Sequence, residues 1–150
     1  MSNFTERVLE CDGRSIRYAE AGKGETVVVF PASEGVLGDE IATALAAQYR
    51  VIVLDAPTSD IMKRPEFTHA LAQALVRLGV DSFSILGVSR GVTSALAQAV
   101  AAPERVQRLI LVSPPLAVVQ QAELSSKLCE VKTPTLVLVG TRDRSGSREA

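Results

Sequence analysis

From Ile85 to Val92 the chain reads Ile-Leu-Gly-Val-Ser-Arg-Gly-Val, an apolar run that ends in Gly-x-Ser-x-Gly and passes at once into a helical pattern. A strand-to-helix turn this tight leaves room only for small residues beside the serine and pushes its hydroxyl out above the sheet. Before it, Phe83, Ile85 and Leu86 read as a buried strand. After it, Val92, Ala95, Leu96, Ala99 and Val100 recur at i, i+3, i+4, i+7 and i+8, one apolar helical face. The pattern predicts a nucleophile-elbow geometry, with Ser89 as candidate nucleophile and Gly87 and Gly91 as the small residues of the elbow. The plainer alternative is an ordinary strand–turn–helix with an incidental serine.

The flanking sequence repeats this alternation. Val8 to Cys11 and Arg14 to Glu20 surround Asp12-Gly13, a two-residue hairpin signal, with Ile16 and Tyr18 on one face of the second strand and Ser15 and Arg17 on the other. Beyond Gly22-Lys23-Gly24, the short apolar runs Thr26 to Phe30, Arg50 to Leu54, Ser82 to Leu86, Arg108 to Val112 and Pro134 to Val139 read as strands buried on both faces, as in a parallel sheet. Helical patterns separate them. Ile41, Ala44, Leu45 and Tyr49 share one face, with Asp39 and Glu40 in the first turn. Leu71, Ala74, Leu75 and Leu78 share another, with Thr68 as N-cap and Gly79 as stop. The helix after Ser89 ends near Pro103, and a further helix is expected from Ala117 to Leu128 with Val118, Val119, Ala122 and Leu128 inward. The prediction is an α/β fold in one domain over residues 1–150. It has a mostly parallel central sheet of about seven strands, an N-terminal antiparallel hairpin and helices on both faces.

Composition narrows the function classes. A chain of 150 residues, 47% hydrophobic and 22% charged, can bury a core, and its formal net charge of −1 gives no electrostatic reason to expect nucleic acid or an anionic membrane. The start, Met1 to Arg7, lacks the apolar core of a signal peptide, and no apolar run reaches membrane-span length. Cys11 and Cys129 are far apart, which reads as two reduced thiols of a cytoplasmic protein. With one histidine in the chain, no metal site and no cofactor are expected.

This order of parts resembles the α/β-hydrolase superfamily, and the similarity spans almost the whole chain. Four segments add to the elbow: Val8 to Phe30, Val51-Ile52-Val53-Leu54-Asp55-Ala56-Pro57, Pro103 to Pro114, and Val131 to Asp143. The resemblance implies a serine hydrolase acting on a small ester-like substrate. Ser89 stands at the nucleophile position and Asp143 at that of the triad acid, whereas Asp55 reads as a turn residue. The Arg90 N–H is one oxyanion donor. The second falls to Ala32 or Ser33, because Pro31 has no N–H, and Glu34 close by reads as a solvated loop carboxylate. With room for about one crossover helix between Pro115 and Val131, no lid is expected over Ser89.

The resemblance fails at the base. The superfamily carries its histidine beyond a further strand and helix, but this sequence stops seven residues after Asp143 and holds only His69, near the start of the second sheet-covering helix. His69 belongs to the same sheet edge as Ser89 and is the one candidate general base, though an exposed first-turn histidine is the commoner case. Thr135 to Val139 would also be the last strand, an apolar edge open to a second copy of the chain or to a partner strand. The expectation is thus a C-terminally shortened hydrolase in which Ser89 lacks its usual base. The alternative is a non-catalytic binding module of the same fold, its edge completed by a partner. A nucleotide-binding domain is disfavoured, because Gly87 to Gly91 is neither a dinucleotide fingerprint nor a phosphate loop.

Overall fold

Asp12 and Gly13 both take the left-handed backbone, at φ 51° and 70°, as a type I′ turn requires. They fold Thr5–Cys11 (β1) onto Arg14–Ala21 (β2), with Cys11 opposite Arg14. The computed structural model describes residues 4–33, 40–55, 61, 64–115, 126 and 129–140. In it β2 pairs antiparallel with Arg50–Leu54 (β4). From β4 onward the sheet is parallel, through Thr26–Phe30 (β3), Phe83–Val88 (β5), Val106–Val112 (β6) and Thr135–Leu138 (β7). The order across the described sheet is β1-β2-β4-β3-β5-β6-β7. The chain leaves β3 for β4 on one side and returns to β5 on the other. The carboxyl ends of β3 and β5 therefore lie side by side at a topological switch, where open α/β sheets place their ligand crevice.

Among the described residues two helices cover one face of the sheet, Pro65–Arg77 (α2) and Gly91–Ala101 (α3). Phe67, Leu71, Leu75, Val92, Ala95 and Ala99 pack there on Val28, Phe30, Ile52, Leu54, Ile85 and Leu109. A short helix, Glu40–Leu45 (α1), covers the opposite face over Val51 and Val53. The predicted strands are all present: β3 and β4 have the predicted bounds, and no end of the others is displaced by more than three residues.

The helices differ from expectation in two details. α1 buries Ala42, with Leu45, Ala46 and Tyr49 half-buried behind it, whereas Ile41 and Ala44 face solvent. The stripe is rotated by one position because the small Ala42 side chain lets the helix sit close to β4. Thr68 is not the N-cap of α2. That position is Arg64, Pro65 opens the helix, and the Thr68 hydroxyl bonds back to the Pro65 carbonyl at 3.0 Å. Proline suits the first helical position, since the missing N–H is unpaired there in any residue. The stop at Gly79 is as predicted. Its φ of 79° lets Gly79 N–H reach Val76 O at 2.9 Å and Val80 N–H reach Leu75 O at 3.0 Å. The helix expected from Ala117 to Leu128 lies almost wholly outside the described residues. None of the described helices is long and apolar enough to cross a membrane.

Burial in α3 extends past its apolar face to Thr93, Ser94 and Gln98, because the helix packs both on the sheet and against α2 beside it. Gln98 is 0% exposed, and neither its Oε1 nor its Nε2 has a hydrogen-bond partner among the described residues. A buried amide left unpaired costs about 1–3 kcal/mol. Gln98→Leu is therefore expected to raise the urea midpoint by the equivalent of about 1–2 kcal/mol at unchanged slope.

Neither cysteine is in a disulfide; Cys11 is buried and Cys129 exposed. Burial, then the Asp12 carboxylate, pushes the Cys11 thiol pKa up, against a smaller opposite pull from Arg77. Cys129 is expected to react with iodoacetamide at once and Cys11 only on unfolding, read by intact mass. Because the raised pKa belongs to the folded state, Cys11 contributes a loss of stability that begins as pH rises above the unfolded thiol value of about 8.5.

Candidate active site

Ser89 follows the last residue of β5 and takes φ 50°, a left-handed conformation that costs a non-glycine residue about 1 kcal/mol or more. Its neighbours show how the turn is held. A Cβ on Gly87 would come within 2.7 Å of Ala95 Cβ and 3.0 Å of Val92 Cα, so only glycine lets α3 fold back over the end of β5. A Cβ on Gly91 would meet Phe30 O at 2.1 Å and Pro31 O at 2.7 Å, so only glycine lets the helix start against the tip of β3. The spacing in Gly-x-Ser-x-Gly thus has a separate steric cause at each end.

The Ser89 N–H donates to Val112 O at 2.8 Å, which ties the elbow to β6, and Ser89 O accepts from Val92 N–H at 3.1 Å. Arg90 occupies the N-cap of α3, where the helix carries its positive end, and among the described residues its N–H donates to no backbone carbonyl. Phe30 is in register with Gly87, so Pro31, Ala32 and Ser33 leave the sheet beside the elbow, with Ala32 and Ser33 exposed. The fold therefore brings together Ser89, Arg90, Gly87, Gly91 and the loop of Ala32 and Ser33.

His69 is not joined to that group. It lies in α2, exposed to solvent, with its Nε2 3.1 Å from the Gln73 amide nitrogen one turn along the helix, and no hydrogen bond links it to Ser89. Asp143 and Glu34 lie outside the described residues. The Asp55 carboxylate accepts from the Arg17 guanidinium at 2.7 Å. Its backbone N–H donates to Arg17 O at 2.9 Å, as suits a residue that closes the end of β4 against β2. Among the described residues no group of three His, Cys, Asp or Glu could hold a metal ion. Among the described residues, hollows of about 440 Å³ beside α1 and about 370 Å³ where β3 and β5 begin are lined by neither Ser89 nor the tip of β3.

One residue at this edge escapes a reading of the sequence. Ser113, directly after β6, is also left-handed at φ 49°, and its N–H donates to Leu138 O at 2.8 Å. The only local signal is Pro114-Pro115, which ends the strand abruptly.

A central parallel sheet with a strained serine between its fifth strand and the next helix is the architecture of the α/β hydrolases, and comparison with known proteins agrees. The chain is 36% identical over 111 residues to the 2-hydroxy-6-oxononadienedioate/2-hydroxy-6-oxononatrienedioate hydrolase 2 of Pseudomonas putida, covering 64% of this chain and 39% of that protein. It is 31% identical over 113 residues to the 2-hydroxy-6-oxo-6-phenylhexa-2,4-dienoate hydrolase of Comamonas testosteroni, covering 66% and 40%. Among solved structures, a bacterial membrane phospholipase A superposes with a TM-score of 0.68 at 20% identity, over 97% of this chain and 72% of that one. An α/β-fold hydrolase of Bacillus anthracis superposes with a TM-score of 0.59 at 18% identity, over 75% and 45%. No family model matches the sequence. The chain has the α/β-hydrolase fold, and the curated relatives it resembles in sequence are hydrolases. It spans about two fifths of the length of those curated relatives.

Proposed function

We propose that the chain is the part of a serine hydrolase that carries its nucleophile, Ser89, and that it acts on small ester-like acyl substrates. The observation that carries this reading is the left-handed Ser89 between two glycines that no larger residue could replace. Strain of this kind is kept where the surrounding structure enforces it, and it gathers at reacting groups. The names of the two curated relatives describe hydrolysis of oxo-dienoates, whose ketone is also an acyl carbon.

In this reading Ser89 Oγ attacks the carbonyl carbon as a base takes its proton. The negative oxygen is held by the Arg90 N–H and by the N–H of Ala32 or Ser33, each such donor contributing about 2.7–4 kcal/mol in the transition state. The base returns its proton to the leaving group as the bond to the acyl carbon breaks. Water, giving a proton to the same base, then frees the acid and restores Ser89. Asp143 would orient a histidine base. His69 is the only histidine of the chain, and its bond to Gln73 must break for it to serve. A cytoplasmic setting fits two cysteines that form no disulfide.

The test is covalent labelling by a fluorophosphonate, read by intact mass, on wild type, Ser89→Ala and His69→Ala. Labelling lost in both variants makes His69 the base. Labelling lost only in Ser89→Ala leaves an activated serine with its base elsewhere. No labelling of folded wild type overturns the reading. A second reading, a non-catalytic module whose sheet is extended by a partner strand or a second copy, draws on β7. There Leu136, Val137 and Leu138 are 53%, 50% and 47% exposed on the last described strand, and Val139 directly after it 48%. It expects an unlabelled, folded protein whose self-association or capture of a partner is lost in Val137→Lys.

A further inference from the structure

Ser113 repeats the backbone geometry of Ser89 one strand over. Val88 and Val112 are in register, so the two serines leave neighbouring strands together, about 5 Å apart along the sheet. Both are left-handed, at φ 50° and 49°, and each donates its N–H at 2.8 Å to the last residue of the next strand, Val112 or Leu138. Beyond the two serines the strands part ways. After Ser89 a helix begins, and among the described residues the Arg90 N–H donates to no backbone carbonyl. After Ser113 come Pro114 and Pro115, which have no N–H.

The donors at the tip of β6 are therefore reduced to one. The Ser113 N–H is committed to Leu138, two prolines come next, and the half-buried Ser113 hydroxyl has no hydrogen-bond partner among the described residues. β3 and β6 flank β5 on opposite sides. An acyl group whose carbonyl oxygen is held by Arg90 and the tip of β3 has the tip of β6, with Ser113, on the opposite side of Ser89.

We propose that Ser113 is a specificity-determining contact, whose hydroxyl donates a hydrogen bond to a second oxygen on the acyl chain, so that the site selects oxygenated acyl groups over plain alkyl ones. This rests on the reading of Ser89 as the reacting group. A hydroxyl placed to bond such an oxygen gains about three- to tenfold over the analogue lacking it.

The test compares p-nitrophenyl pentanoate with p-nitrophenyl 4-oxopentanoate, which differ by one carbonyl in place of a methylene. Wild type is expected to favour the oxo ester by about three- to tenfold in kcat/KM. Ser113→Ala should abolish that ratio while still hydrolysing pentanoate. Ser113→Gly should abolish it too without loss of thermal stability, because glycine takes the left-handed backbone without strain. A merely structural role for Ser113 would move both esters together and leave the ratio intact, which overturns the proposal, as does a wild type without preference. If neither ester is turned over, the nucleophile reading fails by itself, and NMR titration with 4-oxopentanoate and pentanoate decides the remainder. Tighter binding of 4-oxopentanoate at residues 89–91, lost in Ser113→Ala, sustains the contact; equal binding or none overturns it.

Discussion

Gly91→Ala is expected to cost about 3 kcal/mol or more, the upper end for overpacking, and to abolish labelling of Ser89 in whatever protein still folds. The added methyl would lie 2.1 Å from Phe30 O, 2.6 Å from Phe30 C and 2.7 Å from Pro31 O. All three atoms belong to backbone in or next to β3, which is hydrogen-bonded on both sides by β4 and β5, so it cannot swing aside as a side chain could. Relief must come from a shift of the start of α3 or of the Pro31–Ser33 loop. Either shift moves the candidate oxyanion donors away from Ser89. Urea unfolding gives the stability loss, and labelling at equal folded fraction separates the effect on the site. By contrast, Gly13→Ala meets nothing within 4 Å and bears only the strain of its φ of 70°.

Ser89→Gly should move stability and reactivity in opposite directions. Glycine accepts φ 50° freely, so the substitution removes strain while retaining the bonds to Val112 and Val92 made by the backbone. A gain of about 0.5–1 kcal/mol is expected, reduced by the greater freedom of glycine in the unfolded chain, with a midpoint rise of about 2 °C. Fluorophosphonate labelling at this position should vanish, since no hydroxyl is left. Ser89→Ala, which loses the hydroxyl but retains the strain, should show no such rise. Calorimetry on the three proteins side by side checks this; a glycine variant less stable than wild type would mean that the serine side chain itself supports the elbow.

The sheet is legible in the sequence because its signals are local and redundant. Asp12-Gly13 specifies one turn, the apolar runs are short and bounded, and Gly-x-Ser-x-Gly marks a place where a strand passes into a helix without a loop. The stripe of α1 is not, because Ile41 and Ala42 are both apolar, and only the distance between helix and sheet chooses the smaller. Thr68 has the residue type of a cap, whereas Pro65 supplies the stronger start signal three residues earlier. The elbow and the tip of β3 are legible as neighbours. Ser113 is not, since a serine before two prolines reads as loop until the register of β5 and β6 sets it beside Ser89. The unpaired amide of Gln98 is hidden for the opposite reason: it stands where the apolar period of α3 leaves a polar position, and nothing local says that this position is fully buried. Whether Asp143 and His69 serve the chemistry is a matter of approach between distant segments, which no local pattern encodes.

The exposed β7 also bears on how the protein folds. Its pairing with β6 closes a connection from Ser113 to Pro134, and the parallel pairs before it likewise join segments far apart in the chain. Such topologies assemble slowly, because loop closure precedes any gain from contact. An aliphatic strand that is paired on one side only among the described residues stays available to other chains throughout that delay. Recovery from denaturant should then be a contest between first-order folding and second-order aggregation, with yield falling as the protein is refolded at higher concentration.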